Sequence, residues 1–125
     1  MENRKIIIGS RGSKLAIIYA KRAKTELCKF YNEKHIELKS IVTTGDTVQN
    51  IRLSDYGGKG LFSKKIEEEL LDKKIDIAVH ALKDMPSNET KGLLTNCFLK
   101  RNDPREVLIS KNNKKIKDLK PGSIV

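Results

Sequence analysis

Apolar and polar positions follow two different periods along the chain, and these periods predict strands and helices in turn. Residues 5–8 form a short β-branched run closed by Gly9, which predicts a buried strand. Over residues 13–31, apolar positions recur at steps of four and three, which is the spacing of one helix face. The members of this face are Ala16, Ala20, Ala23, Leu27 and Phe30.

The same two periods continue through the middle of the chain. Residues 36–42 alternate apolar and polar side chains as far as Val42, which predicts a second strand. Residues 61–73 predict a second helix with Phe62 on its apolar face. Residues 75–79 are nearly all apolar, as the central strands of parallel sheets tend to be.

The order strand, helix, strand, helix, strand implies βαβ crossovers. We therefore predict an α/β fold with a parallel or mixed sheet and flanking helices. Apolar runs at residues 92–99, 107–109 and 123–125 predict further strands, and residues 115–119 predict a short helix. Because the last run falls within a predicted strand, the sequence is expected to be a truncated part of a longer protein.

Composition narrows the class of protein. The length of 125 residues suits about one domain, and no apolar run approaches the roughly 18 residues that span a membrane. The net charge of +10 indicates an anionic partner, although lysines spread along a chain are usually solvated surface residues. Cys28 and Cys97 lack metal-ligand spacing and are predicted to be buried thiols. His35 and His80 do not complete a metal site, so no metal is predicted.

Side chains able to bind an anion follow each of the first three predicted strands. Ligands of open α/β sheets bind beyond the carboxyl ends of the strands, where residues 10–13, 43–46 and 80–85 would meet. Such a set suits a ligand with several carboxylates, because arginine can bind a carboxylate bidentately. The set comprises two cations, three hydroxyls and one carboxylate: Arg11, Lys83, Ser13, Thr43, Thr44 and Asp84.

Each candidate also has a plainer structural interpretation. The adjacent Lys83 and Asp84 could form an ordinary surface ion pair. The glycine-rich residues 57–60 resemble a phosphate-binding loop but lack the spacing of a P-loop, so a flexible loop is the alternative. His80 is either a structural histidine or a ligand contact, and Phe62 is by default a core residue.

Five motifs, taken in order, resemble those of the hydroxymethylbilane synthases (porphobilinogen deaminases). The likeness covers essentially the whole chain with similar spacing. The most distinctive motif is DIAVHALKDMP at residues 76–86. The others are GSRGS with LA at residues 9–13 and 15–16, TTGD at 43–46, GGKGLF at 57–62 and RNDPR at 101–105.

This resemblance implies a transferase of tetrapyrrole (haem and chlorophyll) biosynthesis. Such enzymes condense four porphobilinogen molecules head to tail with release of ammonia. They are primed by a dipyrromethane cofactor, here expected on a cysteine outside this chain. The resemblance implies a type II periplasmic-binding-protein-like domain over residues 1–98, then a hinge and the start of a second domain over 99–125, with the third domain absent. It also implies a cytoplasmic monomer whose partner is the small molecule porphobilinogen, without nucleic acid or membrane.

The resemblance further implies roles for individual residues. Asp84 would be the catalytic carboxylate, contacting pyrrole N–H groups and stabilising the cation formed as ammonia leaves. Phe62 would pack near the pyrrole ring of the substrate, and Lys59 would belong to a mobile loop over the cleft. The acetate and propionate groups of cofactor and substrate would be bound by Arg11, Ser13 and Lys83.

The chain departs from the family pattern at three positions. The family usually has Pro, Gln and Ser where this chain has Lys14, Tyr19 and Ala81. The change at Ala81 removes a hydroxyl expected near the cofactor.

A non-enzymatic module that binds small carboxylates or phosphates is the first alternative. Nucleic-acid binding driven by charge is the second, and it is disfavoured because the chain has no recognition motif and few aromatic residues.

Overall fold

A computed structural model describes residues 4–47 and 60–124 of the chain. Single-turn 3₁₀ helices at Glu33–His35, Leu82–Asp84, Lys111–Asn113 and Ile116–Asp118 complete the regular structure of these residues. The longer elements, in chain order, are β1 (Ile6–Arg11), α1 (Lys14–Leu27), β2 (Ile36–Ile41), α2 (Thr44–Thr47), α3 (Lys64–Leu71) and β3 (Ile77–Ala78).

The three strands form one parallel sheet in the order β2-β1-β3. β1 lies in the centre, with Ile6 opposite Ile36 of β2 and Ile8 opposite Ile77 of β3. The predicted α/β fold with a parallel sheet and flanking helices is thereby confirmed. Because all three strands run the same way, their carboxyl ends lie at one edge of the sheet.

The helices bury the two faces of the sheet. Neighbouring side chains of a strand point to opposite faces, so β1 contributes Ile8 to one face and Ile7 to the other. α1 packs on the first face and α3 on the second. The cluster on the first face consists of Ile8, Ala20 and Ile36, and that on the second of Ile41, Ile66 and Ile75.

Gly9 allows the second cluster to pack closely against β1. A Cβ atom at this position would lie 2.5 Å from Cδ1 of Ile75 and 3.0 Å from Cδ1 of Ile41. The expected strand end at Gly9 is therefore wrong: the glycine is a close-packing position within β1, which continues to Arg11. This continuation brings the guanidinium of Arg11 to the carboxyl edge of the sheet.

Ser13 begins α1 by capping it. The Oγ atom of Ser13 accepts a hydrogen bond from the backbone N–H of Ala16 at 3.3 Å. α1 ends at Leu27, four residues short of the predicted end at Tyr31. Phe30 therefore lies beyond the helix and is 82% exposed, so its assignment to the buried face is wrong.

Several other expectations differ from the structure. Val42 follows the end of β2 and is exposed, and both Cys28 and Cys97 are exposed free thiols rather than buried ones. Within the described residues, the predicted strands at 92–99, 107–109 and 123–125 are not formed, and residue 125 lies outside the description. The reason is that β-prone side chains form a strand only when a neighbouring strand supplies hydrogen-bond partners, and none of the described strands does so.

The described helices are too short or too polar to cross a membrane: none combines sufficient length with sufficient hydrophobicity.

Candidate functional site

The candidate site lies at the carboxyl edge of the sheet, where four segments meet. Arg11 is the last residue of β1, and Thr43 lies just beyond the end of β2. Asp84 lies in the 3₁₀ turn that follows β3, and Phe62 precedes α3. The crossovers thus bring together side chains that are far apart in the sequence.

Arg11 is held by Asp46, a residue of α2. The Nε and Nη2 atoms of Arg11 both donate to Oδ1 of Asp46, at 3.1 Å and 2.6 Å. The other carboxylate oxygen, Oδ2, accepts from the backbone N–H of Thr43 at 3.2 Å and from its hydroxyl at 2.6 Å. Each oxygen of Asp46 therefore has two donors, and the guanidinium is fixed relative to the end of β2.

These contacts change the acidity of Asp46. Partial burial by itself raises the pKa of the Asp46 carboxyl, but the hydrogen bonds from Arg11 and Thr43 outweigh it and hold the pKa below its ordinary value. A carboxyl whose pKa falls on folding stabilises the fold at pH values above its unfolded-state pKa. That contribution is lost as the pH falls through the lower folded-state pKa. The Arg11–Asp46 pair is therefore fully formed at neutral pH.

Phe62 supports the other side of Arg11. The Cζ atom of Arg11 lies 3.9 Å from the centroid of the Phe62 ring, a stacking distance at which the ring attracts the cation. The ring is only partly buried. The expectation that Phe62 is a core residue is thus correct in part, because the residue is neither fully buried nor fully exposed.

Hydrogen bonds to the carbonyls of Leu61 and Phe62 hold this segment in position. The Nε2–H group of His80, at the exit of β3, donates to the Phe62 carbonyl at 3.1 Å. The N–H of Gly45 donates to the Leu61 carbonyl at 3.0 Å. Of the two interpretations of His80, the structure therefore supports the structural histidine.

Asp84 lies beside Arg11 without a direct hydrogen bond to it. Its Oδ2 atom is 4.0 Å from Nη1 of Arg11, and its side chain is 25% exposed. The backbone N–H of Asp84 donates to the Ala81 carbonyl at 3.0 Å and closes the turn. Among residues 4–47 and 60–124, no side chain or backbone N–H donates to the Asp84 carboxylate, so its oxygens can accept donors from a ligand.

The structure shows fewer contacts for the remaining predicted site residues. Lys83 is exposed on the same turn as Asp84 and forms no ion pair with any described residue, so the predicted alternative of a Lys83–Asp84 surface pair is not observed. Ser13 is exposed. Its Oγ atom caps α1 as an acceptor, so the hydroxyl proton of Ser13 is still able to donate to a ligand. Lys59 lies outside the described residues. In that described part of the chain, no three His, Cys, Asp or Glu side chains are grouped to hold a metal.

Asp46 is a site residue that the sequence motifs do not single out. A signal was present, because Thr43 and Asp46 have the spacing of a capping box, in which a Ser or Thr precedes an acidic residue by three positions. The structure shows half of this pattern, the bond from the Thr43 N–H to the Asp46 carboxylate. The pattern indicates a helix start but does not predict a partner 35 positions away at Arg11.

Gly45 determines how closely Phe62 approaches α2. A Cβ atom at position 45 would overlap the Cε1 and Cδ1 atoms of the Phe62 ring. We expect Gly45→Ala to displace the ring from Arg11 and to reduce the free energy of unfolding by about 1–3 kcal/mol, the usual range for overpacking. Urea denaturation of the variant measures this loss. An unchanged midpoint would show that the ring can move without penalty.

The fold and site define a class: a parallel α/β protein with an arginine, a carboxylate and an aromatic ring at the carboxyl edge of its sheet. Residues 6–125 match the family model described as porphobilinogen deaminase, dipyromethane cofactor binding domain. The match covers nearly the whole chain. The chain belongs to the porphobilinogen deaminase family.

Individual relatives agree with the family match. The chain is 48% identical over 122 residues to the porphobilinogen deaminase of Macrococcus caseolyticus, covering 98% of this chain and 40% of the relative. It is 49% identical over 121 residues to that of Clostridioides difficile, covering 96% of this chain and 40% of the relative. For Bacillus subtilis the identity is 45% over 122 residues, with coverage of 98% and 39%. The chain thus spans about 40% of the length of these relatives.

Proposed function

We propose that this chain provides the catalytic carboxylate and part of the ligand-binding site of a porphobilinogen deaminase (hydroxymethylbilane synthase). Such an enzyme joins four porphobilinogen molecules head to tail and releases one ammonia per addition. The observation that carries the proposal is the position of Asp84. Its carboxylate lies at the carboxyl edge of the sheet, 4.0 Å from Arg11, without a described hydrogen-bond donor of its own.

Asp84 would act electrostatically on the substrate. When the C–N bond of the protonated aminomethyl group (–CH2–NH3+) breaks, the nitrogen leaves as ammonia with the bonding electron pair, and the positive charge passes to the pyrrole. A carboxylate fixed beside that ring stabilises the charge mainly near the transition state, which lowers the barrier. The same oxygens can accept hydrogen bonds from pyrrole N–H groups and so orient the ring.

The neighbouring residues would bind the carboxylate groups of the ligands. Arg11 keeps Nη1 clear of Asp46, the Ser13 hydroxyl can donate, and Lys83 is exposed on the turn that carries Asp84. Arg11, Ser13 and Lys83 fit a dipyrromethane cofactor, whose acetate and propionate groups need cationic and hydroxyl donors. When bound, that cofactor supplies the primer to which substrate units are added. Phe62 would pack against the substrate ring, and Lys59 would be a further ligand-binding residue.

The proposal extends to domain organisation and cellular location. Residues 1–98 would form a type II periplasmic-binding-protein-like domain, and residues 99–125 a hinge and the start of a second domain. Support comes from the parallel sheet with its site at the carboxyl edge. The cofactor cysteine would lie outside this chain, since neither Cys28 nor Cys97 matches the attachment motif of the family. The free thiols of both cysteines suit the reducing cytoplasm.

Ammonia release tests the proposed function directly. We expect the intact gene product, incubated with porphobilinogen, to release ammonia in proportion to the substrate consumed. The 125-residue chain alone is expected to be inactive, because it lacks the expected cofactor attachment site. Binding of porphobilinogen, acetate or phosphate by the intact protein without ammonia release would instead support the alternative of a non-enzymatic anion-binding module.

A further inference from the structure

We propose that Asp46 is a positioning residue for this reaction: it engages Arg11 and thereby prevents the guanidinium from closing onto Asp84. This inference rests on the proposed function, because it assumes that the Asp84 carboxylate acts on a developing cation. It assigns to Asp46 a role in the rate of the reaction and not in the affinity for the substrate.

Arg11 is restrained on two sides. Its Nε and Nη2 atoms donate to one oxygen of Asp46, and its Cζ atom lies 3.9 Å from the centroid of the Phe62 ring. Only the Nη1 side faces Asp84, at 4.0 Å. An unrestrained arginine beside a carboxylate forms direct hydrogen bonds at about 2.7–2.9 Å, often two in parallel. The longer separation at Asp84 follows from the two restraints on Arg11.

Asp46 is itself rigidly held. Both donors of Thr43 bind Oδ2 of Asp46, and Thr43 is 1% exposed. The backbone of the α2 turn is joined to the segment before α3 through the bond from Gly45 to Leu61. Asp46 therefore cannot follow Arg11 toward a ligand, and it keeps the guanidinium at the end of β2.

The cluster of Arg11, Asp46 and Asp84 carries a net negative charge. One cation, Arg11, lies between two carboxylates, Asp46 and Asp84, so the formal charge of the three is negative. Because the short contacts of Arg11 are with Asp46, much of the negative charge of Asp84 remains uncompensated. Without the charge of Asp46, Arg11 would pair directly with Asp84 and neutralise it. A neutral pair offers far less stabilisation to a developing pyrrolic cation.

The test is a double-mutant cycle in the intact enzyme. We expect Asp46→Asn to lower kcat by about tenfold or more while changing KM by less than about threefold, since the loss concerns the transition state. Arg11→Gln alone should lower kcat less than Asp46→Asn does, because it leaves the charge of Asp84 unpaired. In the Arg11→Gln background, however, Asp46→Asn should lower kcat no further, because the arginine that would neutralise Asp84 is gone. Independent effects that multiply in the double variant would overturn the proposal.

Two further variants separate positioning from a general structural role. Asp72→Asn, an exposed Asp→Asn change at the far end of α3, is the matched control and should leave kcat unchanged. Thr43→Val removes a hydroxyl donor from Asp46 but keeps its charge, so it should lower kcat less than Asp46→Asn. Thr43→Ser should restore kcat. If Asp46→Asn does not fold, a Thr43→Val enzyme as active as Thr43→Ser contradicts the inference.

The outcomes distinguish this inference from the proposed function. An intact enzyme that releases no ammonia from porphobilinogen contradicts the proposed function itself. An active enzyme that loses turnover with Asp84→Asn but keeps normal kcat with Asp46→Asn contradicts only the role of Asp46.

Discussion

Replacement of Asp84 by asparagine in the intact enzyme is expected to lower kcat for ammonia release by at least about a hundredfold, the usual loss when an electrostatic transition-state contact is removed. The amide has nearly the same shape as the carboxylate but no charge, so it cannot stabilise a pyrrolic cation. Folding should be preserved, because the Asp84 turn is closed by its backbone N–H and the side chain accepts no hydrogen bond from the described residues. Steady-state ammonia release and a thermal melt of the same preparation measure both effects.

Two further variants test whether the charge of Asp84 is what matters. Asp84→Glu keeps the charge and alters only its position, so it should reduce turnover less than Asp84→Asn. Asp72→Asn removes an exposed carboxylate elsewhere and should leave turnover unchanged. Near-normal turnover of Asp84→Asn would contradict the catalytic role of the residue, and equal losses in the Asn and Glu variants would show that geometry and not charge limits the reaction.

Truncation of Ile8 is expected to have the largest effect on stability. Ile8 is 0% exposed, lies in the central strand and packs with Ala20 and Ile36. Ile8→Ala removes buried carbon atoms and leaves a cavity, which should lower the free energy of unfolding by about 2–5 kcal/mol. Urea denaturation should show a lower midpoint with an unchanged slope, since the same surface is exposed on unfolding.

Two control variants accompany Ile8→Ala. Ile8→Val removes one methylene group and should lower the free energy of unfolding by about 0.5–1.5 kcal/mol. Ile18→Ala makes the same change at a position on α1 that is 54% exposed. It should alter the free energy of unfolding by about 0.5 kcal/mol or less. A loss at Ile18 as large as at Ile8 would contradict the described core.

The core of the fold was predictable because its signals are local. The spacing of Ala20 and Ala23 placed them on one helix face, and both are buried. The β-branched run around Ile8 predicted a buried strand. Prediction failed where burial depends on distant neighbours: Phe30 and Val42 continue their patterns in sequence, but each lies beyond the end of its element and is exposed.

The site was predictable only as a set of segments. The rule that ligands bind at the carboxyl ends of parallel strands correctly grouped the turns that follow β1, β2 and β3. It could not show that Arg11 bonds to Asp46 and stacks on Phe62, since these contacts depend on how far each turn projects from the sheet. Asp46 was overlooked because a carboxylate within a turn motif gives no sequence signal of a distant arginine.

By itself the sequence determined the parallel α/β fold, the family and the three segments that would meet, because periodicity and motif order are properties of the linear chain. Only the tertiary structure decided which charges pair. A hydrogen bond spans about 3 Å between its heavy atoms. Because Nη1 of Arg11 lies 4.0 Å from Asp84, a shift of about one ångström determines whether Arg11 pairs with Asp46 or with Asp84. Chain packing sets that distance through Gly45, Phe62 and Thr43.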